Sequence, residues 1–87
     1  MGGTAYVVFT GFTHSGPPVS NGLLCWEAVV LDPDGSVVPS PDFGSPAMGT
    51  YQIQAGDTGA AIGSAVTGQV QAEWGDSTLA VTFISPV

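Results

Sequence analysis

The sequence predicts an α+β fold: a small, mostly antiparallel sheet of four to five strands with one helix, at about residues 58–74, packed on one face. Three observations predict it. Residues 4–12, 23–31 and 78–84 are rich in Val, Leu, Phe, Tyr and Thr and are bounded by Pro, Gly and Ser, as strands are. Between the last two, Ile62, Val66, Val70 and Trp74 recur at every fourth position, the spacing of one helical face. Asp32-Pro33-Asp34-Gly35 separates two apolar runs and reads as a tight hairpin turn. No repeat and no linker composition interrupts the chain, so residues 1–87 read as a single domain.

Each element follows in order. In residues 4–12, Val7 and Phe9 point one way and Tyr6 and Val8 the other. Both faces are apolar, which suits a strand covered on both sides. A loop with Pro17 and Pro18 follows; neither can donate to a ladder. In residues 23–31, Leu24, Trp26, Ala28 and Val30 form one apolar face. Leu23, Cys25, Glu27, Val29 and Leu31 form the other, with Glu27 its only charge. Pro33 and Gly35 supply the turn dihedrals, and Val37 and Val38 form a short return strand stopped by Pro39. Phe43 and Met48 are the only sizeable apolar side chains of the loop at residues 39–49, either tucked onto the core or displayed. Tyr51, Ile53 and Ala55 then alternate with Gln52 and Gln54, a half-exposed strand suited to a sheet edge.

Residues 59–76 fit a strand alternation as well as a helix. Four features favour the helix. Asp57 or Thr58 stands where an N-cap belongs, and Gly75 where a C-terminal glycine belongs. The segment is long for a strand. It is also rich in Ala and Gln, which suit a helix better. Gly63 and Gly68 oppose it, at about 1 kcal/mol each relative to Ala. Their small size is expected to let the helix lie close on the sheet.

Charge removes whole classes of function. The chain has no Lys or Arg and seven acids, for a net charge of −7. Nucleic-acid and anionic-membrane binding both need cations, so neither partner is expected. No apolar run reaches the length of a membrane span, and the start lacks the basic and apolar regions of a signal peptide. Synthesis in the cytoplasm is expected, with the final location open, a virion or extracellular assembly included. Cys25, the lone cysteine, excludes an intrachain disulfide and reads as a small buried hydrophobe, an intermolecular bridge being the alternative.

The motifs that suggest chemistry have plainer readings. A phosphate loop needs a lysine after its glycines, and the spacing of Gly59, Gly63 and Gly68 does not fit a dinucleotide loop. Asp32 and Asp34 begin a calcium-loop pattern that Val37 and Val38 break. His14, the only histidine, has no companions at metal-ligand spacing and no nucleophile elbow to serve, and reads as an exposed loop residue. Trp26 and Trp74 suggest a sugar or choline platform, but both fit core-facing stripes. No catalytic residue, metal or cofactor is expected, and the chain does not read as an enzyme.

A structural or assembly role fits better. One helix covers one face of a sheet, and the second face is largely apolar too. Only 8% of residues are charged, which leaves a surface little deterred from packing on neighbours. The expected partners are copies of this chain, other protein subunits, or both, in a larger particle or homo-oligomer of virion-decoration, tail or filament type. The candidate interface is Leu23, Cys25, Glu27, Val29, Leu31, Phe43 and Met48. The alternative is a small acidic binding module or inhibitor acting on a basic protein surface, which would cluster its acids on one face.

Overall fold

The computed structural model describes residues 3–13 and 22–84; the expected Pro17–Pro18 loop and His14 lie outside them. The elements run β1 (Thr4–Thr13), β2 (Leu23–Leu31), β3 (Val37–Val38), β4 (Ala47–Gln52), α1 (Gly59–Trp74) and β5 (Ala80–Phe83). This is the expected α+β architecture, one helix packed on a mostly antiparallel sheet. β2 pairs with β1 on one side and with both β3 and β4 on the other, all antiparallel. β5 joins the far side of β1 in parallel, with Ala5 opposite Val81 and Val7 opposite Phe83. A strand cannot re-enter a sheet in parallel through a tight turn, and α1 supplies the crossover from β4 to β5.

The turns follow from local chemistry. Between β2 and β3, the Gly35 N–H donates to Asp32 O at 2.8 Å and Gly35 takes a left-handed φ of 89°. Asp34 Oδ1 accepts from the Ser36 N–H at 2.9 Å, so this carboxylate belongs to the turn. Of the two candidate N-caps, Thr58 caps α1: its Oγ1 accepts from the Ala61 N–H at 3.1 Å. Asp57 instead accepts from Tyr51 Oη and the Gln54 N–H, both at 2.8 Å. At the other end Gly75, at φ 64°, donates to Ala72 O, and Asp76 donates to Gln71 O. This paired closure satisfies the last helical carbonyls.

The Asp57 turn also explains a shift in β4. The sequence suggested a strand continuing through Ile53 and Ala55. Instead β4 begins earlier, at Ala47, which is fully buried opposite Ala28, and ends at Gln52. Asp57 draws Gln54 into a turn, and the chain leaves the ladder there.

The core lies between α1 and one sheet face. Val66, Val70 and Trp74 are its buried helical stripe, with Ile62 packed against it. Opposite them lie Ala5 and Val7 of β1 and Trp26, Ala28 and Val30 of β2, with Ala47 beside them. Each fully buried valine contributes on the order of 1.5–3 kcal/mol of transfer free energy. Three polar ties fix the helix in place. Trp26 Nε1 donates to Gln69 Oε1 at 2.9 Å, Trp74 Nε1 to Val38 O at 2.9 Å, and Gln71 Nε2 to Leu79 O at 3.0 Å. Both tryptophans are thus core residues and form no ligand platform.

Close packing against glycine occurs outside the helix, at Gly3 beside Leu31 O and at Gly49. Gly68 is exposed with open space beyond its Cα, and a Cβ on Gly63 would make ordinary contact with Phe83 at 3.8 Å. The expectation that these two glycines seat the helix is therefore overturned. Gly49 of β4 has that role for the sheet. It stands opposite Trp26, and a Cβ there would overlap the indole ring at Cζ2 and Cε2. Trp26 is enclosed and tied to Gln69, so it cannot swing aside cheaply. Urea unfolding is expected to give opposite signs at two glycines. Gly49→Ala should cost about 1–3 kcal/mol through overpacking. Gly68→Ala should stabilise by about 1 kcal/mol through helix propensity.

Candidate interface on the open sheet face

Strand alternation builds the site. Along β2, Trp26, Ala28 and Val30 go under α1, while Leu23, Cys25, Glu27, Val29 and Leu31 take the opposite face, each half-buried. Register then sets their neighbours. Glu27 lies between Val8 of β1 and Met48 of β4. Val29 lies beside Tyr6, and Leu31 between Thr4 and Val37. Cys25 lies between Gly11 and Thr50, next to the irregularity in β1 at Phe9 to Gly11. Tyr6 is 38% exposed, Val37 53% and Met48 60%. Among the described residues the helix lies on the other side of the sheet, and no second layer covers this face.

Six of the seven residues singled out from the sequence therefore meet on one surface: the five of β2 and Met48. Phe43 does not join them. It is 63% exposed in a separate turn closed by the Ser40–Gly44 bridge and by its own N–H donating to Ser40 Oγ at 3.0 Å. Cys25 is not the buried hydrophobe expected; β2 turns it to the uncovered face as a half-buried free thiol. The residues missed were Tyr6, Val8 and Val37. The first two were signalled by the apolar alternation of β1 on both faces. Val37 was signalled only by its place in the hairpin.

The face is shaped for a broad contact. An apolar depression of about 330 Å3 is lined by Thr10, Cys25, Trp26, Met48, Gly49 and Thr50. It is wide open and has no convergent set of polar groups. Among the described residues no three His, Cys, Asp or Glu side chains gather as a metal site, and no helix is long and apolar enough to cross a membrane.

Electrostatic strain lies elsewhere, at the end of α1. Glu73 is in the last helical turn, where the dipole disfavours an anion. Burial, and then the negative charge of Asp42, raise its pKa above the usual glutamate value. A carboxyl whose pKa is raised by folding binds its proton more tightly in the folded state. Its ionisation therefore destabilises the fold as pH rises through the folded pKa. Asp34 works in the opposite sense. The Ser36 N–H lowers its pKa, and the stability it lends is lost as pH falls through the folded value. Glu73→Gln is expected to raise the melting temperature at about pH 7, with the gain fading to nothing below about pH 4, where glutamate is protonated folded or unfolded. Circular-dichroism melts across that range check it; an equal gain at every pH would refute the assignment.

No family model matches the chain, and neither does any curated protein or solved structure.

Proposed function

We propose that this chain is a non-enzymatic assembly subunit, a small part of a larger particle or homo-oligomer of virion-decoration, tail or filament type. It docks on neighbouring protein subunits through the open face of its sheet. The observation that carries this reading is the face itself. Val8, Val29, Leu31 and Met48 lie together on a broad sheet surface, while α1 is committed to the other side. Exposed apolar surface of this continuity marks interaction sites in folded proteins. The scarcity of charge supports the same reading. Even the outward residues of α1, Ala60, Ser64, Gly68 and Ala72, carry none. The acids are dispersed over the hairpin turn, the turn before α1 and the helix end, which does not suit an inhibitor of a basic surface.

Size-exclusion chromatography with light scattering at low and high salt tests the proposal. The chain is expected to self-associate in a concentration-dependent, salt-resistant way, because apolar contacts are not screened. Leu23→Asp or Val29→Asp is expected to abolish that association and leave a folded monomer by circular dichroism. Unchanged association in both variants, or a monomer whose complexes all dissolve in salt, would overturn it.

A further inference from the structure

We propose that the preferred occupant of the open face is a different protein chain, one whose apolar surface carries a single lysine or arginine placed against Glu27. This rests on the docking reading above and specifies the partner's chemistry. Glu27 is the middle residue of the nine in β2 and the only charge that β2 places on this face. Val8 and Met48 flank it across the sheet, and Cys25 and Val29 flank it along the strand. None of these side chains is a strong hydrogen-bond donor. Glu27 is half-buried, so its carboxylate still reaches water. Any protein lying over the face removes that water.

An ionised carboxylate desolvated without a partner is strongly disfavoured, and a matched cation is what offsets the loss. A second copy of this chain can bring no lysine or arginine to the contact, because the sequence has none. Charge complementarity therefore selects a cation-bearing chain. The surroundings suit such a residue: the methylene stem of Lys or Arg packs on Val8 and Met48 while its head meets the carboxylate. The apolar surround gives the contact its strength, and the single charge gives it register and selectivity.

The test uses as its probe a Glu27→Lys copy of this chain, which presents a sheet face of matching twist with one central cation. Wild type and probe are mixed and followed by sedimentation equilibrium, with circular dichroism confirming that each variant is folded. A one-to-one heterodimer is expected, at least about tenfold tighter than wild type with itself. Replacing the wild type with Glu27→Gln should remove that gain, and a Glu27→Arg probe should reproduce it. Self-association of wild type as tight as the mixture, or no heterodimer with either probe, overturns the inference. If Val29→Asp abolishes wild-type association while the cationic probes bring no gain, this inference fails and the docking face stands. If Leu23→Asp and Val29→Asp both leave association intact, the docking face fails as well.

Discussion

The sixteen-residue helix α1 seals one face of the sheet, and most of this structure depends on that seal. The stripe of Val66, Val70 and Trp74 closes on Ala5, Val7, Trp26, Ala28 and Val30, and with Ala47 and Leu79 these residues form the main core. Nothing in the helix is left to serve the reverse side. The alternation of β1 and β2 nevertheless sends apolar side chains there, because β2 is apolar at every position but Glu27 and β1 is apolar on both faces from Ala5 to Phe9. Among the described residues, the uncovered face is thus a direct consequence of one helix set against two-sided central strands.

The seal is held by shape at one point and by polar ties at others. Trp26 occupies space that only a glycine at position 49 leaves free, and its ring nitrogen meets Gln69 from the helix. Trp74 ties the last turn of α1 to the β3 end of the hairpin through Val38 O. The two indoles therefore link the helix to β2 itself and to β3, which pairs with β2. Burying each N–H with an acceptor is what makes such large rings affordable in a small core.

A chain without lysine or arginine must settle its carboxylates by other means. Asp34 and Asp57 accept backbone N–H groups in turns, and Asp57 also takes the Tyr51 hydroxyl. Asp76 accepts from Thr78 twice after the helix. These acids double as local structure-formers, which is why they stand where the chain changes direction. Glu73 and Glu27 lie outside that pattern. The first lies near Asp42 at the negative end of the helix, and the second stands amid apolar side chains on the open face.

The strands, the hairpin, the helix and its caps were legible because each depends on neighbours a few residues away. Four-residue spacing, a threonine before the run and a glycine after it are local signals with local causes. The open face was legible for the same reason, since alternation assigns Leu23, Cys25, Glu27, Val29 and Leu31 to one side whatever lies elsewhere. What sequence left undecided depends on pairing at long range. The entry of Met48 onto that face requires β4 to start at Ala47, in register with Ala28. The parallel seat of β5, the space that Gly49 leaves for Trp26 and the approach of Asp42 to Glu73 likewise join residues far apart in the chain. Sequence by itself determined which side chains share a face, because backbone geometry repeats over two or four residues. Only the tertiary structure decided which faces meet, because that is set by packing between segments whose order along the chain does not encode their separation in space.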